Sequence, residues 1–246
     1  MYNMGNRAST KARRATIINV GNEILSGDVV DTNSAWLAKR LSAQGVGIEK
    51  IMAVGDDVEA ISDAIKSCNS DFIFVMGGLG PTHDDITRDG VAKGVGKDLA
   101  RNEEAARVLK KKYGVNDHLL LMADLSAGSE VVANPVGAAP GFWVDNVIAM
   151  PGVPEEMKAM FEGIASFFRD DTAIRKGEWI MSDKSEHEIL DVLNEAVKRF
   201  ADVNIGSYPY IDPDGDGKSY KLRVKLLSGN PEALNSAKSW LEERIC

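Results

Sequence analysis

The segment 77–87 combines residue types that can do chemistry: three glycines, two threonines, a histidine and two adjacent aspartates. The glycines directly follow an apolar run, and backbone without side chains allows a ligand to approach closely. A helix predicted to begin near Asp84 directs N–H groups and its positive dipole end at the same space, which suits a phosphate. Asp84 and Asp85 repel a phosphate unless a divalent cation such as Mg²⁺ lies between them, and carboxylates are ligands that Mg²⁺ accepts. The segment therefore predicts a metal-dependent phosphate site.

A purely structural interpretation of the same segment stays open. Thr82 and Asp85 match a capping box, in which the two side chains only start a helix, and the glycines then only form a turn. Two other phosphate motifs are disfavoured, because the spacing fits neither GxGxxG nor GxxxxGK[ST]. A dinucleotide-binding Rossmann site and a P-loop nucleotide hydrolase are therefore not expected.

Two more loops follow apolar, strand-like runs and carry polar groups. The loop 21–27 offers backbone donors, a hydroxyl and the Glu23 carboxylate, and the loop 151–156 offers backbone donors and acids. Asp56 and Asp57 end a further run, and they either face the site or cap the next helix. In parallel α/β sheets the loops at the carboxyl ends of the strands meet at one edge. The three loops are therefore predicted to build one site.

The candidate residues divide into three roles. Asp84 and Asp85 are predicted to hold the metal and to take part in catalysis. Glu23 or Glu155 is predicted to orient or deprotonate an attacking water, and the sequence does not choose between them. The predicted phosphate- or nucleotide-binding residues are Gly21, Asn22, Ser26, Gly27, Gly77, Gly78, Gly80, Pro81, Thr82, Gly152 and Pro154.

The elements that position these loops alternate between strands and helices. Alternation of this kind predicts an α/β fold, a three-layer and mostly parallel sheet with helices on both faces. After residue 170 the order becomes strand, helix, two strands and helix, which predicts a small α+β domain. Within it, Ser185 and Glu188 match a capping box. The predicted strands of the first domain are 15–20, 47–54, 71–76 and 147–150.

The predicted domain organisation has three parts. They are a disordered or added basic tail at 1–14, a nucleotide-site domain at 15–170 and a small domain at 171–246. In the last part, Asp212–Gly217 imitates the first half of a calcium-binding EF-hand loop. Arg223 stands where the bidentate glutamate of such a loop belongs, so a solvated hairpin turn is predicted instead.

The overall composition excludes several functional classes. Of the 246 residues 44% are hydrophobic and 27% charged, and the formal net charge is −8. No apolar run approaches the roughly 18 residues required to cross a bilayer, so no membrane span is expected. The acidic balance argues against a general nucleic-acid-binding surface. The two cysteines show no metal-ligand spacing, which indicates a reducing, cytoplasmic setting.

The segment 77–87 resembles the signature of the molybdopterin-binding-like domain of CinA (competence/damage-inducible) proteins. The similarity covers about residues 15–168. In the second domain, Ile205–Pro209 resembles the small subdomain that follows this module in eukaryotic FAD synthetases. Neither the CinA amidohydrolase domain nor the FAD-synthesising domain is recognised, so nicotinamide-mononucleotide deamidation and FAD synthesis are not expected. Further segments that resemble motifs of the first module, in the same order, are 21–27, 31–33, 134–142 and 151–155.

The resemblance implies metal-dependent splitting of a nucleotide diphosphate such as ADP-ribose or FAD. The wider family, with its MogA- and MoaB-like proteins, implies an alternative, a molybdopterin-binding adenylyltransferase of molybdenum cofactor synthesis. Asp85 is the acid that the wider family shares, whereas Asp84 is typical of the CinA branch, and this extra carboxylate favours the pyrophosphatase. A non-catalytic nucleotide-binding module is a third alternative. The expected partner is a small-molecule nucleotide or pterin, and the family association also implies a homo-oligomer.

Overall fold

The computed structural model describes residues 13–211 and 220–246. The chain divides between Asp171 and Thr172 into two compact units, and each unit has its own sheet and core. The predicted turn Asp212–Gly217 lies outside the described residues, as does the predicted basic tail up to residue 12.

The first strand takes in the end of the predicted tail. The Arg14 backbone N–H donates to Asp71 Oδ2 at 2.7 Å, and its guanidinium donates to Glu49 Oε1 at 2.8 Å. The neighbouring Arg13 guanidinium donates to the Phe168 carbonyl at 2.8 Å. The tail prediction is therefore wrong at residues 13 and 14, because both are tied to the first unit.

Strands and helices alternate along the first unit. The strands are β1 (Arg14–Val20), β2 (Gly47–Val54), β3 (Phe72–Met76), β4 (Leu99–Arg101), β5 (Asp124–Ser126), β6 (Glu130–Val132), β7 (Gly141–Val144) and β8 (Val147–Met150). The helices are α1 (Asn22–Leu25), α2 (Thr32–Ala43), α3 (Val58–Lys66), α4 (Thr87–Gly94), α5 (Glu103–Tyr113), α6 (Asp117–Leu120) and α7 (Pro154–Ile164). Polar side chains start several of these helices by accepting a first-turn N–H, among them Asp31, Asp57 and Asn102.

The main sheet is mostly parallel. Its strand order is β2-β1-β3-β8-β7-β6, and the first four strands run in the same direction. β7 pairs antiparallel with both β8 and β6. β4 and β5 form a separate antiparallel ribbon. The predicted mostly parallel α/β sheet is confirmed, while the short strands β4 to β7 were not predicted.

Apolar side chains cover both faces of this sheet, because successive strand residues point to opposite sides. On one face Ile18 and Val75 pack in a cluster with residues of α3, α4 and α5. On the other face Ile17 and Phe74 pack in a cluster with residues of α2 and α7. The two clusters define the predicted three layers. Among the helices that the structure describes, none has the length and apolar character of a membrane span.

Helices α3 and α4 approach closely because α4 carries glycines where they meet. A Cβ on Gly90 would lie 2.6 Å from the Ile61 side chain, and one on Gly94 would lie 3.1 Å from Ile65. Any larger residue forces the helices apart. This packing fixes α4, whose first residue directly follows the segment 77–86.

The second unit has the predicted order of strand, helix, two strands and helix. Its elements are β9 (Lys176–Ser182), α8 (Leu190–Arg199), β10 (Asn204–Ile211), β11 (Tyr220–Ser228) and α9 (Pro231–Ile245). The antiparallel sheet has the order β10-β11-β9, and side chains such as Ile180, Val224 and Leu241 form its core. Ser185 N–H and Oγ both donate to Glu188 Oε2 at 2.7 Å, yet α8 begins only at Leu190.

Candidate functional site

A cavity of about 550 Å³ has the residues that follow β1, β3 and β8 in its wall. The start of the loop after β3 is bonded to the end of β8: the Gly77 N–H donates to the Met150 carbonyl at 3.0 Å. Gly77 has a φ of +104°, and a Cβ there would lie 2.3 Å from the Val20 carbonyl oxygen, so the position requires glycine. The three loops that the sequence pattern grouped do meet at one edge of the sheet.

Many of the predicted site residues lie in the wall of this cavity. They are Gly21, Glu23, Asp56, Gly77, Gly78, Gly80, Pro81, Asp84, Asp85, Gly152 and Pro154. Other predicted residues lie outside the wall, namely Asn22, Ser26, Gly27, Asp57, Thr82 and Glu155. Polar wall residues that were not predicted as site residues are Asn19, Asp31, Thr32, Asn33 and Glu156.

The adjacent acids Asp56 and Asp57 take different roles. Asp56 lies in the wall, where its Oδ2 accepts the Asn22 backbone N–H at 2.9 Å. Asp57 instead caps α3, because its Oδ1 accepts the Ala60 N–H at 2.8 Å. The two alternatives that the sequence left open, facing the site or capping a helix, are thus divided between neighbours.

The predicted residues Ser26 and Gly27 shape the turn after α1 rather than the cavity. The Ser26 hydroxyl donates to Asp28 Oδ2 at 2.6 Å, and Gly27 has a φ of +80°. Glu155 is exposed on α7. None of these three residues belongs to the cavity wall.

The glycine loop offers backbone donors to the cavity. Within the part of the chain that the structure describes, the N–H groups of Gly78, Leu79 and Gly80 have no hydrogen-bond partner. The helix contributes less than predicted, because α4 begins at Thr87 rather than near Asp84, and the Thr87 N–H donates to the Gly78 carbonyl at 3.1 Å. The free N–H groups at this edge of the sheet therefore belong to the loop and not to the predicted helix N-terminus.

A buried arginine holds the glycine loop in place. Arg88 Nη1 donates to the carbonyls of Leu79 at 2.6 Å and Gly80 at 3.0 Å, and Nη2 donates to the Asp85 carbonyl at 3.2 Å. The residue is only 7% exposed, and burial lowers the pKa of Arg88 below its ordinary value while the Asp85 charge raises it. These carbonyl contacts offset the loss of hydration of the guanidinium. Arg88 is not in the cavity wall and acts by positioning the loop.

Asp84 and Asp85 both lie in the wall but have different surroundings. Asp85 Oδ2 accepts the Thr82 N–H at 2.9 Å and also the Thr82 hydroxyl, which is the capping-box pairing. The Asp84 side chain is 62% exposed. The polar groups of this turn, first Thr82 and then the Asp84 backbone N–H, lower the pKa of the Asp84 carboxyl. Asp84 is therefore ionised at neutral pH and open to a ligand.

Glu156, next to the predicted Glu155, has its carboxylate fixed in the cavity wall. Asn134 Nδ2 donates to Glu156 Oε2 at 2.6 Å, and Asn134 Oδ1 accepts the Gly137 N–H at 2.8 Å. A Cβ on Gly137 would lie 2.1 Å from the Glu156 Oε2, so the missing side chain leaves the space that the carboxylate fills. The loop between β6 and β7 thus holds Glu156 in one orientation.

The cavity wall is strongly acidic. Its charged residues are Glu23, Asp31, Asp56, Asp84, Asp85 and Glu156. Among the described residues, no lysine, arginine or histidine belongs to this wall. The described side chains of the wall therefore offer no positive charge to an anionic ligand.

The acids of the wall could hold at most a largely hydrated cation, not a metal caged by protein. Among the residues that the structure describes, no group of three or more His, Cys, Asp or Glu side chains converges as metal ligands. Asp84 and Asp85 supply hard oxygen donors from adjacent positions. Mg²⁺ typically binds through one or two carboxylates, several waters and substrate phosphates, which matches such a pair.

The chain is similar to known proteins over both units. Residues 16–170 match a family described as the probable molybdopterin binding domain, and residues 178–246 match the FAD synthase, middle domain. A protein from Archaeoglobus fulgidus is 38% identical over 235 residues, covering 93% of this chain and 96% of its own. A protein from Metallosphaera sedula is 39% identical over 255 residues, covering 94% of this chain and 92% of its own.

Among solved structures, the protein CinA with unknown function from Thermoplasma acidophilum is 39% identical. It covers 64% of this chain and 98% of its own, with a TM-score of 0.61. The chain therefore belongs to the molybdopterin-binding domain family of MogA- and MoaB-like proteins. Within that family it is CinA-like, and its second unit belongs to the FAD synthase middle-domain family. The resemblance stated from the sequence is confirmed.

Proposed function

We propose that this chain hydrolyses the phosphoanhydride of an adenosine-containing dinucleotide, such as ADP-ribose or FAD, with a divalent cation. The observation that supports this most is the composition of one loop in the cavity wall. Gly78, Leu79 and Gly80 offer unpaired N–H groups, and Asp84 and Asp85 follow directly with two carboxylates. Successive N–H groups suit phosphate oxygens, and paired carboxylates suit a cation bound to those oxygens.

The charge of the wall explains why a cation is needed. A carboxylate about 6 Å from a phosphate charge opposes binding by about 3 kcal/mol at an effective dielectric constant of 20. The wall has six acids and, among the described residues, no basic residue, so binding of a diphosphate without a cation is strongly disfavoured. Asp84 and Asp85 would hold Mg²⁺ together with phosphate oxygens and water. When bound, the cation neutralises charge that builds on the bridging oxygen.

The wall also supplies groups to hold the phosphate and to activate the attacking water. Loop N–H groups hold one phosphate, while Glu156 orients a water and accepts its proton. The water oxygen forms a bond to phosphorus, the bridging P–O bond breaks, and the leaving phosphate carries the electron pair. Glu156 suits this role better than Glu155, because its carboxylate lies in the wall and Asn134 fixes it there. Glu23, also in the wall, is the second candidate for the same role.

A second candidate function is binding of a pterin for adenylylation in molybdenum cofactor synthesis. The description of the matched family, a probable molybdopterin binding domain, favours it. It uses the same cavity and the same glycine loop, so the two functions differ in the ligand and in the product.

Assembly into a homo-oligomer stays a prediction of family membership and is tested by light scattering.

Product analysis separates these functions. The purified chain is incubated with ADP-ribose or FAD, with and without MgCl₂, and the products are resolved by chromatography. Release of AMP only in the presence of Mg²⁺ supports hydrolysis. Retention of a pterin without AMP release supports the second candidate. If the chain retains nucleotide but neither releases AMP nor retains a pterin, both functions are contradicted and a non-catalytic nucleotide-binding module is indicated.

A further inference from the structure

The second unit exposes one face of its sheet. Successive strand residues point to opposite sides, and one set, which includes Ile180 and Val224, packs in the core with residues of α8 and α9. The opposite set lies together by strand register, because Tyr208 pairs with Arg223 and Trp179 pairs with Lys225. We call this set the outer face, and its aromatic and basic members are Trp179, Tyr208, Tyr210, Lys221, Arg223 and Lys225.

Aromatic rings and cations alternate on the outer face. The Arg223 guanidinium carbon lies 4.6 Å from the centre of the Tyr210 ring and 5.8 Å from that of Trp179. Lys225 Nζ lies 5.4 Å from the centre of the Trp179 ring, which is 5.6 Å from that of Tyr208. Trp179 and Tyr208 are each 48% exposed, so a large part of each side chain is open to a ligand in spite of these contacts.

The cations of the outer face are not all matched by acids. Lys221 Nζ lies 3.6 Å from Asp183 Oδ1, on a side chain that is 91% exposed. Within the part of the chain that the structure describes, Arg223 and Lys225 form no ion pair. The chain as a whole nevertheless carries a formal net charge of −8. Two cations without acidic partners in so acidic a chain favour an anionic partner that approaches this face.

We propose that the outer face binds a single strand of nucleic acid, with bases against Trp179 and Tyr208 and phosphates at Arg223 and Lys225. Each nucleotide joins a flat ring to a negative charge, and the face presents a ring beside a cation more than once. Proteins that bind single strands combine aromatic rings, on which bases stack, with positive charge along the backbone, and the face of a sheet can present such rings. An acidic protein segment matches the cations but leaves the rings without flat partners.

The proposal goes beyond the hydrolysis proposed above and does not rest on it. The acidic balance of the whole chain argues against a general nucleic-acid-binding surface, whereas the cations of the outer face are local. Because the remaining charge of the chain repels a polyanion, binding is expected to be strong only at low salt.

Fluorescence anisotropy of a labelled oligonucleotide tests the proposal on the whole chain. The ligand is oligodeoxythymidylate of about 12 nucleotides, in about 50 mM NaCl. Wild-type protein is expected to bind it saturably, and Trp179→Leu about tenfold more weakly, because stacking of one base is lost. Trp179→Phe keeps a ring and is expected to stay within about threefold of wild type. Arg223→Met should reduce the slope of log K against log[NaCl] by about 0.7, the value for one phosphate contact on a single strand.

Tyr113 provides the matched control. It is 41% exposed at the end of α5, and Lys112 Nζ lies 5.4 Å from its ring, so it repeats one ring and one cation outside the outer face. Tyr113→Leu is expected to bind as wild type does. Circular dichroism checks that Trp179→Leu keeps its fold, and Tyr208→Leu, with the same expected loss, replaces it where the fold is lost.

Two further ligands separate stacking from charge. An abasic oligonucleotide of the same length keeps the phosphates without the bases, and it should bind at least about tenfold more weakly than oligodeoxythymidylate. Polyglutamate stands for an acidic protein surface and should also bind more weakly. Equal binding of either ligand overturns the proposal, as does an absence of binding at low salt. An affinity that is unchanged in Trp179→Leu, or that falls equally in Tyr113→Leu, overturns it too.

Discussion

Replacing Gly137 by alanine displaces the Glu156 carboxylate without altering Glu156 itself. The added Cβ would lie 2.1 Å from the Glu156 Cδ and Oε2 and 2.3 Å from its Oε1. Carbon atoms in contact are optimally about 3.5–4.0 Å apart, so the carboxyl group must move by about 1.4 Å or more. Gly137 does not have a positive φ, so its backbone accepts alanine. The carboxylate is therefore the part that moves.

The expected result is a loss of rate with little loss of stability. Misplacing a catalytic group by about 1 Å lowers the rate by about 10²-fold, so kcat for AMP release should fall by about that factor. The variant also loses the 2.6 Å hydrogen bond from Asn134 to Glu156, which contributes about 1 kcal/mol. For a domain of this size the Tm should fall by no more than about 4 °C.

Two measurements check this result. Steady-state AMP release from ADP-ribose with MgCl₂ gives kcat, and thermal unfolding followed by circular dichroism gives the Tm. Gly163→Ala in α7 is the control, because no atom lies within 4 Å of its added Cβ, and it should keep wild-type kcat. A Gly137→Ala variant with wild-type kcat would refute the role given to the Glu156 carboxylate.

Two further predictions concern the stability of the first unit. Arg88→Met should lower the free energy of unfolding, measured by urea denaturation, by about 2–3 kcal/mol, because three loop carbonyls lose a charged donor. The control Arg107→Met, at an exposed arginine, should leave the free energy of unfolding unchanged. Gly90→Ala should lower the free energy of unfolding by about 1–3 kcal/mol, because the new Cβ overlaps Ile61. In the same assay Gly163→Ala should raise the free energy of unfolding by about 0.5–1 kcal/mol, because its Cβ contacts nothing and alanine favours a helix. Equal effects of either matched pair would contradict the packing described.

The sequence predicted four of the six strands of the main sheet, because each of the four leads into a turn that contains glycine. β2 and β8 have the predicted bounds, and β1 and β3 differ from them by one residue at the N-terminal end. The strands β4, β5 and β6 were missed because each has only three residues. β7 is as long and as buried as the predicted β8, but Asp145 and Asn146 follow it where proline and glycine follow β8, so its end was not recognised.

Helix starts were predicted less accurately, because two capping-box patterns lie before the helices that they were expected to begin. The pairs Thr82–Asp85 and Ser185–Glu188 both form the hydrogen bond of a capping box. In both cases the bond closes a turn before the helix, because α4 begins at Thr87 and α8 at Leu190. The pattern identifies the local hydrogen bond but not whether the next residues continue as helix.

Individual site residues depend on contacts between distant segments, which spacing does not reveal. Consecutive helical residues differ by about 100° in direction, so Glu155 and Glu156 face different surroundings, and the pattern gives no phase for choosing between them. Glu156 is selected by its contact with Asn134, which lies 22 residues away in the chain. Arg88 gave no signal at all, because an arginine in a charged segment is normally exposed.

The most direct test of the central claim is the metal dependence of ADP-ribose hydrolysis in Asp85→Asn. Wild-type protein should release AMP with Mg²⁺ and not with EDTA, and Asp85→Asn should lose at least about 100-fold of this rate while keeping its fold. Asp63→Asn, an exposed acid of α3 outside the cavity wall, should keep it. AMP release that persists with EDTA, or at the wild-type rate in Asp85→Asn, would contradict the proposed function.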